Sequence, residues 1–273
     1  MAELKKRRLG RTKVMVTELG LGTLDTAQVP EGEETLHLAL DLGVNFIDTA
    51  RIYEGSEYLI GQVLRKRGDQ SCYLATKTIN RTRDGAQYDI DRSLRLLGRD
   101  RIDLYQLDDV SPESWEAVRR EGGALEGLQI AQFLGKIAHI GISSHHLGVL
   151  EQAITCGEFD TVMLEYSAFS PETERLIGLA QERDVGVIVM RPLGGSGRMT
   201  TLRGIRHAAG PERLLSPAML LRYVLSHPGI SVAIPGARYP SRVRENVDLA
   251  LTYHPLDDAQ KRACEAEATR WLY

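Results

Sequence analysis

Along this chain, short apolar runs alternate with longer amphipathic stretches from end to end. The runs are VTELGLGT (16–23), GVNFID (43–48), SCYLATK (71–77), RIDLYQL (101–107), AHIGIS (138–143), TVMLEY (161–166), VGVIVMR (185–191) and GISVAIPG (229–236). Most are nearly continuous in Val, Ile and Leu, the pattern of parallel strands covered on both faces. The segments between them carry helix signals. EETLHLALDLG (33–43) sets Leu36, Leu38, Leu40 and Leu42 behind an acidic first turn and stops at Gly43. SEYLIGQVLRKRG (56–68), IDRSLRLLG (90–98) and PETERLIGLAQERD (171–184) repeat the scheme. Pro171 sits at a helix start, where its missing N–H costs nothing.

Eight strand–helix units joined by right-handed crossovers predict an α/β fold, a (β/α)8 TIM barrel. The competing architecture is an open doubly wound sheet. That fold opens on a G-x-G-x-x-G turn, and GLGT at 20–23 lacks the spacing. KKRRLGRTKVM (5–15) reads as an N-terminal β-hairpin turning at GRT, and residues 240–273 add C-terminal helices after the eighth strand. No linker, low-complexity tract or short-period repeat divides the chain, so residues 1–273 are expected to form a single barrel domain.

Composition narrows the partners. With 34 basic and 37 acidic residues the net charge is -3, which gives no electrostatic footprint for nucleic acid or an anionic membrane. Cys72, Cys156 and Cys264 are too few and too scattered for a disulfide framework or a metal site. Unpaired thiols, an N-terminus without a signal-peptide core and no spanning run lead to the expectation of a cytoplasmic protein.

In a barrel of this kind, reactive groups stand at the C-terminal ends of the strands. Those ends carry Asp48 and then Tyr53, Lys77, Asp108–Asp109, Ser143–Ser144 with His145–His146, Glu165–Tyr166, Arg191, and Gly236 with Arg238. Asp48, Tyr53 and Lys77 form a chemically coherent set. A phenol is a weak acid, an adjacent ammonium lowers its pKa, and a carboxylate holds the ammonium in place. Each residue also has a plainer reading: a Tyr at a core edge, a rim salt bridge, a helix cap. Trp115 and Trp271 read as packing residues, Trp271 with the alternative of reaching the substrate mouth.

FIDTARIYEGSE (46–57), LATK (74–77), DLYQL (103–107), IGISS (140–144) and IPGARYPSRVREN (234–246) together resemble the aldo-keto reductase superfamily. RRLGRTKVMVTELGLGT (7–23) looks like that family's hairpin and first strand. The resemblance implies an enzyme that moves hydride between a nicotinamide dinucleotide and a small carbonyl or alcohol substrate. Asp48, Tyr53 and Lys77 match three of its four catalytic positions, with Tyr53 as general acid. The fourth is normally a His, and the alignment places Asp108 there. Two outcomes are open for Asp108: burial keeps it protonated as a donor, or it stays charged and turns toward Lys77.

The same resemblance implies NADP(H) rather than NAD(H), held across the strand ends. Gly22, Thr23 and Asp48 are expected among its contacts. Ser143 matches the serine that bonds the carboxamide, Ser144 stands where Asn is common, Met163 replaces a Gln, and Met190 takes the place of a stacking ring. RPLGGSG (191–197), including Arg191, Leu193, Gly194 and Gly195, matches the pyrophosphate loop. Arg238 and Arg242 fall near the 2′-phosphate, Glu245 and Asn246 at the adenine edge, and Gly236 where Lys is frequent. Two other activities fit the resemblance: reduction of a carbon–carbon double bond conjugated to a carbonyl, and cofactor binding without catalysis.

Overall fold

In the computed structural model, which describes residues 3–68, 71–195 and 215–270, eight strands pair in parallel and in chain order. A two-stranded antiparallel hairpin precedes them, β1 (Lys6–Arg8) against β2 (Met15–Thr17), with a 3-10 turn over Gly10–Thr12. The barrel strands are β3 (Leu21–Gly22), β4 (Phe46–Asp48), β5 (Tyr73–Thr78), β6 (Ile102–Leu107), β7 (Ile137–Ser143), β8 (Thr161–Glu165), β9 (Gly186–Met190) and β10 (Val232–Ala233). Bridges from Leu19 to Ala233 and from Gly22 to Gly236 bring the first strand against the last, nearly closing the barrel.

Between the strands lie α1 (Gly32–Asp41), α2 (Ser56–Arg67), α3 (Arg83–Leu97), α4 (Pro112–Arg119), α5 (Ala124–Phe133), α6 (Leu147–Cys156), α7 (Glu174–Glu182) and α8 (Pro217–Leu225). After β10 come α9 (Pro240–Thr252) and α10 (Asp258–Thr269). Gly68 and Gly98 end α2 and α3 in left-handed conformation, as their sequence positions predict.

Two buried clusters divide the core. The larger joins the outward faces of the strands to the helices. The smaller fills the barrel, where Phe46, Ala75, Leu104, Met163 and Ile188 pack with Leu9 and Val16 of the hairpin segment. Leu9 lies against Gly186 at the start of β9, so the hairpin plugs the N-terminal end and chemistry is left to the other end.

Three boundaries differ from the sequence reading. The run 16–23 is shared: Met15–Thr17 belongs to the hairpin and only Leu21–Gly22 to the barrel. Gly20 sits where a Cβ would press Val232 and the Phe46 carbonyl at 2.9 and 3.0 Å, a crossing too tight for a long regular strand. The run 229–236 yields only Val232–Ala233, because Pro235 has no N–H for the ladder. The helix expected at 90–98 starts at Arg83, where the Thr82 hydroxyl accepts the Gly85 N–H.

Candidate active site

Strand register assembles the site. Asp48 pairs with Ala75 and Lys77 with Gln106, so period-two alternation sends Asp48, Lys77 and Gln106 to one inward face. Lys77 Nζ donates to Asp48 Oδ2 at 2.7 Å and to the Thr49 carbonyl at 2.7 Å. Gln106 Nε2 donates to the other carboxylate oxygen at 3.3 Å. Tyr53 enters from the turn after β4, and its ring centroid lies 4.9 Å from Lys77 Nζ. The Arg51 N–H donates to the Lys77 carbonyl at 3.0 Å, tying that turn to the end of β5. Asp48, Tyr53 and Lys77 therefore meet, as the sequence predicts.

The electrostatics differ from the sequence expectation in one respect. Burial is the largest influence on the Tyr53 phenol and raises its pKa; Lys77 pulls it down, but the Asp48 and Asp108 carboxylates oppose that pull. Tyr53 is thus held protonated, a donor, rather than tuned toward phenolate. Burial also raises Asp48 to about 6, against the attraction of Lys77. For Lys77 burial disfavours charge, yet Asp48, Tyr53 and Asp108 outweigh it and raise its pKa. The two partners respond oppositely, the ammonium gaining from the pair and the carboxylate losing from burial. The 2.7 Å contact supports an ionised pair at neutral pH.

Asp108 and Asp109 separate as expected, Asp108 buried and Asp109 exposed, although just past the end of β6. Asp108 turns toward Ser143 rather than forming an ion pair with Lys77. Its Oδ1 accepts the Ser143 hydroxyl at 2.8 Å, while its charge still acts on Tyr53 and Lys77. Asp109 adopts a left-handed φ of 47°, and its N–H donates to Ser143 Oγ at 2.9 Å. Arg81 Nη2 donates to the Asp109 carbonyl at 2.8 Å, holding the unusual backbone. Ser144 Oγ donates to the Val110 carbonyl at 2.6 Å and accepts the His146 N–H, so it stitches the two loops together.

The expected cofactor positions line the same rim. Gly22 approaches the barrel seam beside Gly236, and Thr23 Oγ1 donates to the Asp48 carbonyl at 2.8 Å. Met163 is buried in the barrel floor, and half-buried Met190 packs against the same cluster. Arg191, Gly194 and Gly195 all have positive φ, a loop built for close backbone approach. A Cβ at Gly195 would make ordinary van der Waals contact with Arg191 Cδ at 3.6 Å, but the positive φ of 87° disfavours any side chain there. Leu193 packs on the outer core. Ser196 and Gly197 of that loop, and Trp271, lie outside the described residues.

On the far rim the arginines are already engaged. Arg238 donates to Asp25 Oδ2 from Nε and Nη2 at 3.2 and 2.9 Å, and Arg242 Nη1 holds both Glu245 oxygens at 2.9 and 2.6 Å. Asn246 faces a small hollow between β3 and α9. A loop of positive-φ residues, a serine with a spare lone pair and two arginines at the rim fit a dinucleotide phosphate ligand.

Sequence reading did not single out several supporting residues. Gln106 braces Asp48, although its place one strand from Lys77 was readable from the DLYQL register. Glu57 pairs with Arg51 and accepts the Thr76 hydroxyl at 2.7 Å; Arg51 also lies 3.6 Å from Asp89. His145, Glu165 and Arg191 were each noted at strand ends, but not their pairing: His145 and Arg191 share Glu165 Oε1 at 2.6 and 2.8 Å. No short-range signal marks such long-range pairs. Among the described residues no group of His, Cys, Asp and Glu converges as metal ligands, and no helix is long and apolar enough to cross a membrane.

Known proteins resemble this chain in sequence and fold. The chain is 24% identical over 319 residues to the uncharacterized oxidoreductase YqkF of Bacillus subtilis, covering 99% of this chain and 98% of that protein. Among solved structures it resembles the holo form of aldo-keto reductase AKR11C1 from Bacillus halodurans, with TM-score 0.81 and 25% identity, over 97% of this chain and 96% of that one. An aldo-keto reductase from Klebsiella pneumoniae in complex with NADPH shares the fold at TM-score 0.75 and 22% identity, over 96% and 94%. The model of the Aldo/keto reductase family matches residues 18–267. This chain accordingly belongs to the aldo/keto reductase family of oxidoreductases.

Proposed function

We propose that this protein is an NADP(H)-dependent oxidoreductase that interconverts a small carbonyl compound and its alcohol. The observation that carries the reading is the buried Asp48–Lys77–Tyr53 set at the open end of the barrel. When bound, the dinucleotide supplies or accepts hydride at the carbonyl carbon. The protein's own residues handle the proton. Tyr53, held protonated by burial, gives its O–H proton to the carbonyl oxygen as negative charge grows there. Lys77, held cationic, stabilises the phenolate left behind, and Asp48 with the Thr49 carbonyl fixes its ammonium. In the oxidative direction the same groups run in reverse.

Ser143, Ser144, Met163, Met190 and the Arg191–Gly195 loop are assigned to the nicotinamide and pyrophosphate. Arg238 and Arg242 are assigned to the 2′-phosphate. Exposed ion pairs are worth about 0–1 kcal/mol, so Asp25 and Glu245 yield their arginines readily to a dianionic phosphate. The NADPH of the Klebsiella pneumoniae relative supports the same choice. A second reading, reduction of an enone, is favoured by the carboxyl group of Asp108 at the position normally held by His. The barrel is proposed to act as one unit on small molecules, without nucleic acid or membrane as partner.

The test is direct. Purified protein should oxidise NADPH with an aldehyde or ketone from a mixed panel, and Tyr53→Phe should lower turnover by about 10²-fold or more while NADPH still binds. Enone turnover in place of carbonyl turnover would select the second reading. Binding without turnover of either class would leave a non-catalytic cofactor protein.

A further inference from the structure

Ser143 is held in an unusual hydrogen-bonding state. A hydroxyl has one proton to give and two lone pairs to offer. The Ser143 proton goes to Asp108 Oδ1 at 2.8 Å, and one lone pair takes the Asp109 N–H at 2.9 Å. Both serine and carboxylate are buried, and neither partner is left to chance. Asp109 reaches the serine only because its backbone is left-handed at φ 47°, a conformation unfavourable for a non-glycine residue. The Arg81 bond to the Asp109 carbonyl and the Val110 N–H bond to the Ser143 carbonyl, at 2.8 and 3.0 Å, hold that turn in place. One lone pair of Ser143 Oγ therefore remains, and no proton.

We propose that Asp108 is a positioning residue for the cofactor: by accepting the Ser143 hydroxyl proton it turns Ser143 into an acceptor-only contact that takes the NH2 end of the nicotinamide carboxamide. The inference rests on the assignment of Ser143 to that amide. A carboxamide presents a donor and an acceptor on one rotatable group, so a hydroxyl free to spin accommodates either end. A serine committed to accepting admits only the NH2 end, which fixes the rotation of the amide. Asp108 thereby works on the cofactor through Ser143, in addition to whatever its charge does near Tyr53.

Binding, not turnover, decides the matter. NADP+ and its 3-acetylpyridine analogue, in which a methyl replaces the NH2, are titrated calorimetrically against the wild type, Asp108→Ala and Ser143→Ala. The wild type should bind NADP+ roughly fivefold or more tighter than the analogue, the worth of one hydrogen bond. Asp108→Ala frees the hydroxyl proton for the analogue's carbonyl oxygen, so the preference should fall to about twofold or less. Ser143→Ala removes the acceptor and should level the two ligands without recourse to Asp108. Unchanged preference in Asp108→Ala, or retained preference in Ser143→Ala, overturns the inference while leaving cofactor binding intact. Failure of the wild type to bind either dinucleotide overturns the cofactor assignment itself, and the inference with it.

Discussion

At the scale of single residues, Asp48 concentrates the opposing forces in the site. Burial lifts its carboxyl from 3.8 to about 6, with Lys77 pulling the other way. The folded protein then keeps a proton that the unfolded chain has already released. Stability from this group is greatest at low pH and declines as pH rises through the window from about 4 to about 6, then stays level. The wild-type advantage over Asp48→Asn in urea unfolding should shrink across that window. An advantage that grows instead would mean that the Lys77 bond outweighs burial. Asp48, Tyr53 and Lys77 were legible as residues because strand ends are short-range features. The Asp108–Ser143 bond was not, because it depends on a left-handed turn at Asp109 and on a neighbouring strand 34 or more residues away.

At the scale of elements, the turn carrying Tyr53 is held by more than its own backbone. Arg51 pairs with Glu57 of α2, Glu57 takes the Thr76 hydroxyl of β5, and Asp89 of α3 collects Thr78 and Asn80 at 2.5 and 2.6 Å. Three elements thus clamp one catalytic turn. Glu57→Ala leaves the half-buried Arg51 guanidinium without its main partner and should cost about 3 kcal/mol in denaturant unfolding. Turnover should fall several-fold as Tyr53 loses definition, with the dissociation constant for NADPH nearly unchanged. Equal losses in cofactor binding and turnover would show that the clamp serves the whole rim. Apolar runs and helix stops made most elements readable in advance. The misplaced edges, at 16–23, 83–89 and 229–236, fall where a crossing, a cap or a proline overrides the apolar pattern.

At the scale of the whole molecule, the barrel's closing seam joins the two ends of the chain, and one arginine spans it. Arg7 of β1 donates to the carbonyls of Leu225, His227 and Ile230 at 2.6 to 2.9 Å, and to the Tyr253 hydroxyl at 3.2 Å. It also pairs at 2.6 Å with Glu18, which is fully buried, and Tyr253 donates to that same carboxylate at 3.0 Å. The basic run at residues 5–8 gave no hint of this, since a surface turn and a buried tie share one composition. Arg7→Met should strand the Glu18 charge in the core and cost about 3–5 kcal/mol, the penalty for breaking a buried pair from one side. Most of that loss belongs to the orphaned carboxylate rather than to the missing contacts. Glu18→Gln added to Arg7→Met should therefore restore more than about 1 kcal/mol, a coupling that a double-mutant cycle reads directly. Strict additivity of the two substitutions would mean that Glu18 is relieved by Tyr253 alone, and that the arginine ties the seam through its carbonyl bonds.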